Sequence, residues 1–113
     1  MPYIGVNLTG TLTDEQKLAI KSGLGEKIGV IPGKVEAALM VDISENHTLF
    51  LGGDQRPLAF LDVRCYGTTE FEHKKAFTEA AFEVVQNVTG LTARDIYLTY
   101  AEYPNWGTRG TMK

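Results

Sequence analysis

The sequence predicts an α+β fold, an α/β sandwich in which two β-α-β units form one four-stranded mixed sheet with both helices on a single face. Three observations carry this. Segments of period-two apolar alternation flank helix-length segments twice along the chain. Both rounds open on proline, at Pro2 and Pro57. The two rounds, residues 2–43 and 57–103, correspond at a nearly constant offset.

Taken in order, Ile4, Val6 and Leu8 alternate with Tyr3, Gly5 and Asn7, a strand pattern ended by Thr9-Gly10-Thr11. Thr13-Asp14-Glu15-Gln16 reads as a capping box that opens a helix to about Ile28, with an apolar stripe at Ile20, Leu24 and Ile28 and a stop at Gly29. Val35, Ala37, Leu39, Val41 and Ile43 then alternate with polar or small residues, which predicts a long second strand. Leu49-Phe50-Leu51 is a short apolar run closed by Gly52-Gly53-Asp54. The second round repeats the plan, with a strand from Pro57 to Val63 and beyond and a second capping box at Thr69-Glu70-Phe71-Glu72. Phe77, Ala81, Val84, Val85 and Val88 make its helix stripe, Gly90 the stop, and Ile96 to Tyr103 the last strand.

Two helices cover one face of a sheet, whereas Leu58, Phe60, Ala38 and Met40 add apolar side chains to those already assigned inward. An apolar face of that size predicts a homo-oligomer. At 113 residues with 43% hydrophobic and 22% charged side chains, the chain is expected to fold as a single domain, 1–113. A net charge of −3 and no basic run longer than Lys74-Lys75 make nucleic acid and membrane surfaces poor partners. No apolar stretch approaches the roughly 18–20 residues of a membrane span and no cleavable leader is recognised, so a cytoplasmic protein is expected. The single cysteine, Cys65, excludes an internal disulfide, a Cys-x-x-Cys redox pair and a thiolate zinc site. His47 in a polar turn and His73 on a charged helix face lack metal-ligand spacing, so no metal is expected.

With Pro2 directly after Met1, Phe50-Leu51-Gly52-Gly53, Tyr66-Gly67, Ile96-Tyr97-Leu98-Thr99-Tyr100 and Trp106-Gly107 in a chain of two β-α-β units, the sequence resembles the tautomerase superfamily. Within it the resemblance is to the branch of macrophage migration inhibitory factor and its bacterial homologues. The resemblance implies a homotrimer with three active sites between subunits, no metal or organic cofactor, and an N-terminal proline that acts as base once Met1 is removed. It implies keto-enol tautomerisation of an α-keto acid such as phenylpyruvate. Tyr97 then matches the active-site tyrosine, and the Tyr66 amide and Lys34 are the candidates for holding the substrate carboxylate, with Arg64, Thr99 and Trp106 as further substrate-binding candidates.

The chemistry has its own physical logic, because a secondary amine beside an apolar cavity is desolvated and its pKa falls toward neutrality, where it can take and return a proton. Three departures from the family pattern stand out. The family's lysine directly follows the glycine that ends the first helix, whereas Val30 follows Gly29 here. Its last-strand asparagine is Thr99, and its Cys-x-x-Cys pair falls near Ala59 and Asp62. The alternatives are a trimeric binding or signalling protein without turnover, and a dehalogenase or decarboxylase, branches that use arginine pairs and an extra acid; Arg64 and Arg109 are the arginines to locate.

Overall fold

In the computed structural model, which describes residues 1–113 throughout, the chain begins β1 (Pro2–Leu8), α1 (Asp14–Lys27), β2 (Met40–Ser44), β3 (Phe50–Leu51) and β4 (Asp54–Gln55). It continues β5 (Ala59–Tyr66), α2 (Phe71–Thr89), β6 (Ile96–Tyr103), β7 (Gly107–Thr108) and β8 (Thr111–Met112). The main sheet has the order β2-β1-β5-β6. β1 lies parallel to β2 and β5 parallel to β6, while the central pair, β1 and β5, is antiparallel. Each parallel pair brackets one helix, so the expected pair of crossover units in a mixed sheet is present.

The core forms where the strands' even or odd faces meet the helix stripes. Ile4, Val6 and Leu8 of β1 and Leu61, Val63 and Cys65 of β5 pack under Ile20 and Leu24 of α1 and Phe77, Ala81 and Val85 of α2. Ile20, Leu24 and Ile28 are fully buried. At about 1.5–3 kcal/mol per buried large aliphatic side chain, this stripe rather than helix propensity holds α1 in place. The Thr13 hydroxyl accepts from the Gln16 amide at 3.1 Å and Gln16 Oε1 accepts from the Thr13 amide at 2.8 Å, a complete capping box. Gly90, at φ 76°, closes α2.

Four expectations need correction. The long strand from Val35 does not exist: Glu36–Ala38 is a 3-10 turn and β2 begins at Met40, whose partner is Tyr3. β1 begins at Pro2, so residues before Leu39 have no strand beside them to complete a ladder. The second capping box is also absent. Glu70 is the N-cap of α2 without a side-chain bond, and Glu102 Oε2 takes the Thr69 amide at 2.7 Å instead. Gly29 does not end the first helical segment by itself, because a 3-10 turn covers Ile28–Val30 and the left-handed residue is Gly33, at φ 81°. Finally, the helix-free face of the sheet is mixed rather than apolar. By strand alternation it carries Phe60 and Tyr97 but also Tyr3, Asp42, Asp62, Arg64 and Thr99.

Candidate active site

Pro2 starts β1 opposite Cys65, is buried, and lines an open cleft of about 830 Å³. Tyr3, Arg64, Trp106 and Arg109 line this cleft, with Ala38 and Met40 along the β2 side. Trp106 is placed by its surroundings: its ring meets Tyr103 edge-on at 6.2 Å, and its backbone exchanges hydrogen bonds with Lys113 across the β7–β8 hairpin. Arg64 points along the open sheet face, where Nε and Nη2 donate to Asp62 Oδ2 at 3.1 and 2.7 Å and the guanidinium lies 5.3 Å from the centre of the Tyr3 ring. This short ion pair holds the Arg64 charge well inside its ordinary range and raises its pKa.

Lys34 reaches the same end of the sheet. Its Nζ donates to the Tyr66 carbonyl at 2.7 Å, and the Tyr66 amide donates to the Met1 carbonyl at 3.3 Å. Gly33 makes the turn that delivers it, so Lys34 does directly follow the glycine that reverses the chain after the helical segment. The expected departure at this position came from taking Gly29 for that glycine. The amine at Met1 is lowered from its ordinary value of 8.0 by burial and, next, by the Lys34 ammonium.

Tyr97 and Thr99 are not brought to this cleft. Tyr97 pairs with Phe60 and Pro2 with Cys65, so five residues of β5, about 16 Å, separate them along the sheet. Tyr97 is 58% exposed and borders a small apolar pocket of about 110 Å³ with Phe50, Leu51, Leu58 and Phe60 at the opposite end of the molecule. Thr99 lies on the helix-free face opposite Asp62.

Sequence reading named Trp106 and Arg109 but missed the hairpin that places them, and Lys113 with it. The β7–β8 hairpin carries Arg109 and Lys113 into the cleft lining. The signal available was Thr108-Arg109-Gly110-Thr111, a Gly-containing two-residue turn between strand-forming threonines. No three His, Cys, Asp or Glu side chains gather anywhere in the structure in a way that would hold a metal ion, and no helix is long and apolar enough to cross a membrane.

The fold recurs in solved structures. MIF2 of Leishmania major superposes with a TM-score of 0.93 at 22% identity, covering 100% of this chain and 97% of that one. The MIF-like protein of Entamoeba histolytica gives 0.86 at 18% identity over 99% and 98% of the two chains. A fused 4-OT described as a wild type asymmetric trimer gives 0.87 at 21% identity over 96% and 94%. Among curated proteins, no sequence matches significantly. The sequence profile described as Macrophage migration inhibitory factor (MIF) matches residues 1–112. The chain belongs to the macrophage migration inhibitory factor family.

Proposed function

We propose that the protein, after loss of Met1, is a cofactor-independent keto-enol tautomerase for an α-keto acid such as phenylpyruvate. The observation that carries this reading is that buried Pro2 lines the cleft while the residue bonded to it, Met1, meets Tyr66, whose carbonyl holds the Lys34 ammonium. Burial of Pro2 and the nearby Lys34 cation would disfavour a protonated amine there, which is what a base working near neutrality requires.

In the keto-to-enol direction the Pro2 lone pair takes a proton from the carbon next to the carbonyl. The C–H electron pair becomes the new C=C bond as the carbonyl π pair moves onto oxygen, and a proton reaching that oxygen completes the enol. The Tyr66 amide, vacated by the Met1 carbonyl, and Lys34 Nζ would hold the substrate carboxylate. Arg64 and Trp106 would shape the cleft around the rest of the molecule.

The developing oxyanion needs a donor, and Tyr97 of the same subunit is out of reach. The molecule carries an apolar Tyr97-bearing patch at one end and the Pro2 cleft at the other. Contacts between two different patches are head-to-tail and close into a ring, and a trimer like the one named for the fused 4-OT would seat the Tyr97 hydroxyl of one subunit over the Pro2 cleft of the next. Thr99 then has no assigned contact.

The second reading is a trimeric binding or signalling role without turnover, in which Pro2 is not used as a base. For the dehalogenase or decarboxylase reading, Arg64 and Arg109 do share the cleft with Pro2, but no Asp or Glu lines it to serve as the extra acid. The deciding experiment is enol-phenylpyruvate ketonisation by protein whose intact mass lacks one methionine. Turnover that Pro2→Ala abolishes while the trimer persists supports the enzyme; no turnover by the Met1-free wild type on any keto-enol substrate leaves the binding role.

A further inference from the structure

The chain carries a net charge of −3, yet the charged side chains on the cleft lining are Arg64, Arg109 and Lys113, all cationic. In the proposed reaction one substrate carboxylate is assigned to Lys34 and the Tyr66 amide, and Lys34 Nζ already donates to the Tyr66 carbonyl at 2.7 Å. Arg64 is spoken for by Asp62, whose carboxylate it meets at 2.7 Å. Arg109 has no carboxylate partner within ion-pair distance.

Its backbone is a second, independent observation. Arg109 and Gly110 are the two central residues of the β7–β8 turn, and both have left-handed backbones, at φ 52° and 80°. A two-residue hairpin turn with positive φ at both positions is the setting that Asn-Gly or Gly-Gly satisfies cheaply. An arginine there carries a steric penalty from its Cβ, and a residue held in that region at a cost points to a use for its side chain. The hairpin is also fastened, since Lys113 N donates to the Trp106 carbonyl at 2.9 Å and Asn105 Nδ2 to the Lys113 carbonyl at 3.1 Å. The turn therefore holds the Arg109 backbone in place and presents a guanidinium without an ion-pair partner at the cleft.

We propose that the cleft selects an α-keto acid bearing a second anionic group, which Arg109 receives at the cleft lining. The substrate class is thus a keto diacid rather than a keto acid with a neutral tail. This rests on the tautomerase reading for its chemistry, but the recognition can be read without turnover.

The probes are phenylpyruvate and 4-carboxyphenylpyruvate, which share the reacting atoms and differ by one carboxylate. Trp106 is the only tryptophan of the chain and lines the cleft, so its fluorescence reports binding of either. With Met1-free protein at low salt the diacid binds tighter, and its advantage shrinks as ionic strength rises. Arg109→Asn lowers the diacid-to-monoacid ratio about tenfold, the order expected for one charge-assisted contact, while raising the thermal midpoint because asparagine suits the turn. A wild type that does not favour the diacid, or a ratio unchanged in Arg109→Asn, overturns the proposal. Binding selectivity without turnover of either acid would sink the tautomerase reading and leave this one standing; turnover of both without selectivity would do the reverse.

Discussion

Lys34 and Tyr66 are joined side chain to backbone, with Nζ 2.7 Å from the carbonyl oxygen of Tyr66. The bond leaves an ammonium beside the same residue whose amide donates to the Met1 carbonyl. One residue thus anchors the cation, through its carbonyl, and offers a donor, through its amide, where β5 ends. The pairing ties the loop after α1 to the strand next to Pro2. In this way the cation's position follows from the backbone and not from a long side chain searching through solvent.

The first prediction concerns that cation. A free amine at Pro2 would lie near the Lys34 ammonium, which disfavours its protonated form, so the rate of a reaction using the free base rises as pH passes through that amine's pKa and is flat above it. Lys34→Met removes the neighbouring charge, raises the amine pKa and moves the rising limb to higher pH. It also removes a charge-assisted contact to the substrate carboxylate, which raises KM by about tenfold or more. Lys34→Arg keeps the limb in place. A pH–rate profile of Met1-free protein reads both effects, and an unmoved limb in Lys34→Met would remove Lys34 from the site.

A second prediction separates two glycines of α1. A Cβ at Gly23 would lie 2.7 and 3.0 Å from the two methyls of Val84 on α2. Val84 is β-branched and held to one rotamer in a helix, so it cannot turn aside. Overpacking of about 1–3 kcal/mol therefore exceeds the roughly 1 kcal/mol that alanine gains over glycine in a helix. Gly23→Ala should lower stability in urea unfolding, and Gly23→Ala with Val84→Ala should remove the clash. At Gly25 the close neighbour is the Glu36 carboxylate, the free end of an exposed side chain. Gly25→Ala should raise the urea midpoint instead.

Much of this architecture is legible in sequence because its causes are local. The Thr13–Gln16 cap, the Ile20, Leu24 and Ile28 stripe and the Gly90 stop depend on residues within a turn or two of one another. The misreadings share the opposite cause. Val35 to Leu39 alternate like a strand, but a strand needs a neighbour, and the start of β1 at Pro2 denies them one. Thr69 has the capping sequence, but Glu102, thirty-three residues on, reaches its amide. Pro2, Lys34 and Arg109 are all nameable from the chain, but that Arg109 lies on the same cleft as Pro2 is not, because it depends on the β7–β8 hairpin folding back beside β1.

A third prediction uses a carboxylate far from the cleft. Glu45 accepts from the Leu12 amide at 2.5 Å and from Lys17 Nζ at 2.9 Å, tying the end of β2 to the entry of α1. The backbone bond first, and the lysine second, hold its pKa below the ordinary 4.5. A lowered carboxylate contributes stability above its unfolded-state pKa and loses it as pH falls through the folded value. The urea midpoint of wild type should therefore exceed that of Glu45→Gln at pH 7, and the gap should close below about pH 4. A gap that persists at pH 3 would mean that the carboxylate's charge is not what matters.

The last prediction tests whether one subunit completes another's site. Pro2 and Tyr97 lie about 16 Å apart along the sheet of a single chain, and no rotamer closes that distance. If a neighbour supplies Tyr97, Pro2→Ala and Tyr97→Phe trimers are each impaired at every site, yet a mixed trimer contains sites where an intact Pro2 meets an intact Tyr97. Random assembly of equal amounts after unfolding and refolding together places both intact residues at about one site in four, so about a quarter of wild-type activity returns. A site confined to one subunit never regains both groups, and mixing then yields only the average of the two impaired variants. The same experiment distinguishes a neighbour-donated hydroxyl from a Tyr97 that merely packs. If Tyr97→Phe alone keeps full activity, the hydroxyl has no part in the reaction and the oxyanion donor must be sought among the groups lining the Pro2 cleft itself.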